Sequence, residues 1–289
     1  MNRPDQGANL QFAGTAFGRP RTFLYNRFVY LVVSQRAKGL SIGINLNPDK
    51  SCNFKCVYCE VNRDIPGLDA KVHLAVMASE LETMLKLVRE GRVRELNEFA
   101  HFPPELLELK EVALSGDGEP TLSPQFNDIV GEVIRVRSRG RFFKIVLITN
   151  TAGLARPQVR EGVDRLTGED EIWVKLEAGT QEYMDRVNVG DLKLREVMAN
   201  ILVIARERPV VIQSLFPMVR GEEPSEAEID QYVHRLEELK AAGARISMVQ
   251  IYSAHRPPHN PLCEHLPLAT LSSIARKVRA ATGLHAEVF

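Results

Sequence analysis

The sequence is poor in several things, and each shortage closes off a class of protein. Among 289 residues there are four cysteines and one tryptophan, and the 37 basic residues are balanced by 37 acidic ones. Zero formal net charge argues against a dedicated nucleic-acid binder, which carries a basic excess or a marked basic stripe. The best basic stretch, RVRSRGRFFK at 135–144, reads as a solvated helix end and turn. No run approaches the ~18 apolar residues needed to span a bilayer, and the start, MNRPDQGANLQFAG, lacks the pattern of a signal peptide. A cytoplasmic location is therefore expected, where thiols stay reduced and a tight set of cysteines holds a metal or does redox work. Low-complexity segments, internal repeats and a clear linker are missing too. With 44% apolar and 26% charged residues, the composition is that of an ordinary globular chain.

From about residue 40 onward, short apolar runs alternate with segments of helical period. The runs are LSIGINLN (40–47), EVALS (111–115), FFKIVLIT (142–149), EIWVKL (171–176), VVIQSLF (210–216) and ISMVQIY (246–252). Between the first two, Leu74, Met77, Leu81, Met84, Leu85 and Val88 fall on one helical face. Further helices are expected around Phe126–Ile134, Val159–Leu166, Leu194–Leu202 and 269–281, with a short helical piece near 104–109. Ser225 and Glu228 form a capping-box pattern that opens another helix. Strands alternating with helices imply βαβ units and a parallel sheet, and runs apolar on both parities imply strands covered on both faces. Six units fall short of the eight that close a barrel, so an open partial barrel or a doubly wound sheet is expected. Residues 1–39 read as an N-terminal extension packed on the core, with a strand or hairpin at 28–34, and residues 40–289 as the main domain.

Three of the four cysteines lie in NPDKSCNFKCVYCEVN, at positions 52, 56 and 59. Thiolates are soft ligands suited to zinc or to iron–sulfur iron, and this spacing lets one loop wrap one compact site. Zinc would want a fourth ligand nearby, and none of Asn62, Arg63 and Asp64 is an obvious one. A [4Fe–4S] cube held by three thiolates leaves one iron open for a further ligand. Cys263, the remaining cysteine, cannot support a second cluster. It lies with His255, His259 and His265 in a proline-rich segment whose spacings match no metal site.

The pattern C-x3-C-x2-C with Tyr58 before the third cysteine resembles the cluster loop of the radical S-adenosylmethionine (SAM) superfamily. LSGDGEPTLSPQF (114–126) resembles that family's Gly-Gly-Glu element, with Asp117 between Gly116 and Gly118. Together with ITNTAGL and WVKLEAGT, the sequence over roughly residues 18–257 is similar to the wyosine-synthase-like group, although the extra cysteines of two-cluster wyosine synthases are missing. The resemblance implies a partial (β/α)6 barrel that holds one [4Fe–4S] cluster on Cys52, Cys56 and Cys59. It also implies reductive cleavage of SAM to a 5′-deoxyadenosyl radical that takes hydrogen from a substrate, fed by a low-potential donor such as flavodoxin or ferredoxin. Glu119 would face the methionine amino group, Tyr58 the adenine, Asn150 and Ser214 the carboxylate or ribose, and Lys175 and Glu177 the ribose or substrate.

The C-terminal ends of barrel strands build active sites, which also brings Thr149, Gln213, Gln250 and Tyr252 into the candidate set. A small molecule, a protein side chain and a tRNA base remain open as targets. So does activation of a glycyl-radical enzyme. A zinc or iron–sulfur regulatory module without turnover is the non-enzymatic alternative.

Overall fold

The structure is a computed structural model that describes residues 15–16, 19–20, 23–67, 71–254, 258 and 260–289. Its centre is one eight-stranded sheet. The strands are β1 (Val29–Ser34), β2 (Gly39–Asn45), β3 (Leu109–Ser115), β4 (Ile145–Thr149), β5 (Glu171–Lys175), β6 (Val210–Leu215), β7 (Ile246–Tyr252) and β8 (Ala286–Val288). They lie side by side in chain order from β1 to β8. All neighbours from β2 onward are parallel, and β1 pairs antiparallel with β2.

Strand order in space that follows strand order in the chain decides between the two expected architectures. A doubly wound sheet reverses direction at a switch point and places helices on both faces. Here no reversal occurs, so right-handed crossovers put every connecting helix on the same side and the sheet curls into a partial barrel. Those helices are α1 (Leu74–Arg89), α2 (Phe126–Ser138), α3 (Pro157–Asp164), α4 (Gln181–Val187), α5 (Leu194–Ala205), α6 (Glu226–Ala241) and α7 (Leu268–Thr282).

Burial follows the same two-sided logic. Leu40, Ile42, Val112, Leu114, Ile145, Leu147, Val174, Ile212 and Ile251 belong to the main core, which they form with the helices. Residues of the opposite parity, Val146, Trp173 and Val211, make a separate small cluster with Ile148 and Met248 on the concave side. That inner face also takes the ring of Tyr30, whose hydroxyl meets Ser115 Oγ at 2.7 Å. A Cβ at Gly43 would sit 2.0 Å from the Tyr30 ring, so β2 needs glycine there.

Two sequence expectations change at the sheet edges. The strand expected at 28–34 is β1, an edge strand of the barrel sheet itself, and the tail HAEVF supplies β8. Both are short or lack clean alternation, so periodicity alone does not place them. The turn between β1 and β2 then spans the open side of the barrel. Lys38 Nζ reaches Glu287 Oε2 at 3.1 Å, and the Arg36 guanidinium carbon lies 4.4 Å from the centroid of the Tyr252 ring.

The capping box is half right. Ser225 Oγ accepts the Glu228 N–H at 3.1 Å, but the Glu228 carboxylate turns away and accepts from Gly179 N–H, Thr180 N–H and Thr180 Oγ1. It caps the start of α4, a helix not expected from sequence. The basic stretch at 135–144 is largely spent on ion pairs: Arg135 with Glu132, Lys144 with Glu171, and buried Arg137 with Asp170 at 2.7 Å. Among the described residues no helix is long and apolar enough to cross a membrane.

Candidate active site

The cysteine loop leaves β2 at its C-terminal end and is tied down on two sides. On one side, Lys55 N–H donates to Val189 O at 2.8 Å and Val57 N–H to Val187 O at 2.9 Å, fixing the loop to the segment after α4. On the other, Glu119 N–H donates to Ser51 O at 3.0 Å. That contact explains the glycines of SGDGEP. Gly116 has φ of +139°, and a Cβ at Gly118 would fall 1.9 Å from Ser51 O. Asp117 lies beneath the loop, where Asn45 Nδ2 donates to its Oδ2 at 2.7 Å and its own N–H donates to Asn45 Oδ1.

Glu119 is buried at the base of the turn. Its carboxylate accepts from Thr121 N–H and Oγ1, from Thr149 Oγ1 and from Asn150 N–H. Burial raises its pKa and these donors oppose the rise. Glu119 and Thr149 thus come together, joined by Thr121, and bind the turn after β3 to the end of β4.

Two amides address the cysteines. Asn150 Nδ2 lies 3.9 Å from Cys52 Sγ and donates to Asn53 Oδ1 at 2.8 Å, while Asn188 Nδ2 lies 3.6 Å from Cys56 Sγ. Burial pushes the Cys52 thiol above its usual range and the Cys56 thiol up to about 12. Metal binding therefore has to displace protons from these sulfurs.

Beside Cys56 lies a buried knot of Tyr58, Lys175, Glu177 and Asn188. Tyr58 Oη donates to Glu177 Oε2, Asn188 Nδ2 donates to the same oxygen at 2.6 Å, and Lys175 Nζ donates to Tyr58 Oη at 3.3 Å. Lys175 Nζ also stands 3.7 Å from Glu177 Oε1 and 5.1 Å from the centre of the Tyr58 ring. Burial works against the ammonium, but Glu177 together with Tyr252, Cys56 and Cys59 outweighs it and holds Lys175 protonated above its ordinary range. Burial moves the Tyr58 phenol the same way. Lys175 is therefore a fixed cation and hydrogen-bond donor, not a nucleophile.

Deeper in the barrel, Gln213 Nε2 donates to Gln250 Oε1 at 2.9 Å, and Tyr252 stands two residues beyond on the same face. Ser214 is not brought to this group. It has the opposite parity and faces the helices, with its hydroxyl on Leu176 O and on Tyr232 Oη. Asn188, Asn45 and Thr121 are further residues of the site that sequence reasoning did not single out. Thr121 lies within the SGDGEPTL stretch and Asn45 closes β2, whereas Asn188 has no motif beside it.

Cys263 is buried in a two-residue strand paired with Met218–Val219, and burial pushes its thiol up to about 11. His255 and His259 lie outside the described residues.

Among the described residues no three Cys, His, Asp or Glu side chains converge closely enough to share a single metal ion. Three thiolates on one loop are the donor set of a [4Fe–4S] cube, each binding its own iron. Cys52, Cys56 and Cys59 could hold such a cube, with amide donors aimed at two of the sulfurs.

Residues 46–233 match the family model described as "Radical SAM superfamily". The chain is 26% identical over 182 residues to UPF0026 protein slr1464 of Synechocystis, covering 62% of this chain and 60% of that protein. It is 21% identical over 232 residues to a UPF0026 protein of Helicobacter pylori strain J99, covering 80% of this chain and 68% of that protein. The fold is similar to Streptococcus suis SuiB bound to S-adenosylmethionine, at 15% identity and a TM-score of 0.58, over 88% of this chain and 52% of that one. It is also similar to TYW1 with a lysine-pyruvate adduct bound, at 16% identity and a TM-score of 0.52, over 84% of this chain and 74% of that one. The chain thus spans less than two thirds of the length of slr1464 and about half that of SuiB.

Proposed function

The chain belongs to the radical SAM superfamily, and from that membership we propose that it is an enzyme holding one [4Fe–4S] cluster on Cys52, Cys56 and Cys59 and cleaving SAM reductively. When bound, the cluster and SAM supply one-electron reduction of the sulfonium and the hydrogen abstraction from substrate that follows. A low-potential carrier such as flavodoxin or ferredoxin provides the electron, and the substrate occupies the concave side of the barrel.

The observation that carries this reading is the seat of the cysteine loop. It lies over the C-terminal ends of β2–β5, locked to the Gly116–Glu119 turn on one side and to residues 187–189 on the other. That is the edge at which a barrel assembles catalytic groups.

The chain's own residues take up the remaining tasks. Asn150 and Asn188 donate toward the cysteine sulfurs, which tunes the potential of whatever the sulfurs hold. Lys175 presents a fixed positive charge beside Tyr58 at the mouth, suited to the carboxylate or hydroxyls of SAM. The Gly116–Gly118 backbone lies close enough to the loop to offer main-chain groups to the methionine end. Glu119 and Thr149 act as braces for that turn.

Anaerobic reconstitution with iron and sulfide is the test. The expected result is one cluster per chain with broad visible absorption and, after reduction with SAM present, release of 5′-deoxyadenosine and methionine. A colourless protein that binds one zinc and leaves SAM intact would sink the reading and favour the regulatory module.

A further inference from the structure

Arg36 has no task in the reading above. It leaves the turn between β1 and β2, crosses the open side of the barrel and stacks on the Tyr252 ring at 4.4 Å. Its Nε is buried without a partner, and no carboxylate among the described residues stands within ion-pair distance of it. A guanidinium is always charged and keeps its donors in one plane. Stacking one face on an aromatic ring therefore leaves its edge N–H groups for an acceptor lying in that plane.

Two positions before Tyr252 on the same face, Gln250 is fully buried and accepts from Gln213. Gln250 Nε2 and Gln213 Oε1 are left without partners. Exchanging nitrogen and oxygen in both amides leaves the same shortfall, one NH2 and one oxygen unspent. Buried amide groups left open in this way are costly, and they are explained when a ligand completes them.

Both signs of charge reach Tyr252: Arg36 and Lys175 on one side, Glu177 and Glu60 on the other. Of the two cations, Lys175 is engaged by Glu177, which leaves the Arg36 guanidinium stacked on the Tyr252 ring as the group that can face an added oxyanion. On the barrel floor, burial pushes the Glu111 carboxyl up to about 7, so near neutral pH it cancels only part of the Arg36 charge.

We propose that the barrel interior carries an oxyanion subsite formed by the Arg36 guanidinium on the face of Tyr252 together with the Gln213–Gln250 amide pair, and that the molecule losing hydrogen presents a carboxylate or phosphate there. The inference rests on the substrate chamber proposed above and names the chemistry the substrate brings to it.

The test uses the full chain without cluster or SAM, so it does not depend on turnover. Trp173, the single tryptophan, lies on the same concave face and reports binding by its fluorescence. The probes are glutarate, inorganic phosphate and, as an uncharged counterpart, glutaramide. Saturable binding of at least one anion and none of glutaramide is expected, with affinity falling about tenfold or more in Arg36→Gln. Arg36→Lys restores the charge without the planar fork and should fall between, and Gln250→Leu should also weaken binding. Binding of glutarate alone identifies a carboxylate substrate, and of phosphate alone a phosphate ester.

No saturable response to either anion, or equal affinity in folded Arg36→Gln, overturns the subsite. If Arg36→Gln does not fold, unchanged affinity in both Arg36→Lys and Gln250→Leu overturns it instead. Wild-type SAM cleavage is scored separately. Cleavage without anion binding defeats the subsite alone, and anion binding without cleavage defeats the radical SAM reading alone.

Discussion

Asn188 Nδ2 reaches the Cys56 sulfur at 3.6 Å and the Glu177 carboxylate at 2.6 Å, with Tyr58 Oη also within 3.3 Å. The cysteine loop and the Lys175–Glu177 ion pair are thereby positioned by the same side chain. Hydrogen bonds to cluster sulfurs raise the reduction potential. Asn188→Ala should therefore give a cluster with a more negative midpoint, read by redox titration of the reconstituted protein, and an unchanged midpoint would remove Asn188 from that role.

Cys56→Ala should abolish SAM cleavage while the barrel remains folded. The side chain is partly buried and packs against the margin of the core, so the loss of stability should be about 1–2 kcal/mol. Denaturant titration alongside a 5′-deoxyadenosine assay checks both parts.

At Gly118 there is no room for a methyl group. A Cβ would meet Ser51 O at 1.9 Å and Asn47 Cβ at 2.6 Å. Gly118→Ala should cost ~1–3 kcal/mol by forcing the turn and the cysteine loop apart, and iron incorporation should fall with it. Normal stability and normal iron content in this variant would show that the loop yields without cost.

Glu111 makes stability depend on pH. Its carboxyl is raised from 4.5 to about 7, with burial the main cause and the hydrogen bond from Ser41 opposing it. Between these values the folded chain binds more protons than the unfolded chain, so stability falls as pH rises from about 4.5 to about 7 and then levels off. The full effect is roughly 3 kcal/mol. Glu111→Gln keeps an acceptor for Ser41 and should flatten that slope in urea titrations across the window. A wild-type slope that persists in the variant would mean that another group is responsible.

Glu228 carries the start of α4 from a distance of nearly fifty residues. Glu228→Ala should cost ~1–3 kcal/mol by leaving those donors unpaired. Amide exchange should quicken at Gly179 and Thr180 first, and exchange that quickens only in α6 would contradict the cap.

The legible parts of the molecule are those in which cause and effect lie close together in the chain. The barrel strands show as apolar runs because both of their faces are covered, and the cysteines show because three soft donors lie within one loop. The parts that could not be read depend on which strand lies beside which. Ser214 looked like a site residue, yet parity turns it to the helices, where Tyr232 holds it. Glu228 looked like the second half of a local cap, yet a nearer geometric claim from Gly179 takes its carboxylate. Asn188 has no motif around it. Arg36 gains its meaning only once the barrel brings Tyr252 opposite the first hairpin.

The matching of spatial and chain order among the strands bears on how the protein is made. Each strand–helix unit leaves the ribosome to find its neighbour already formed, so the sheet can grow in the direction of synthesis. The cysteine loop emerges early, directly after β2, but its amide donors arrive 98 residues later at Asn150 and 132 residues later at Asn188. Until then the thiols have no fixed geometry and no shelter from oxidation. A cluster on these thiols would therefore be expected to find its full set of donors only after the chain has passed β5 and Asn188.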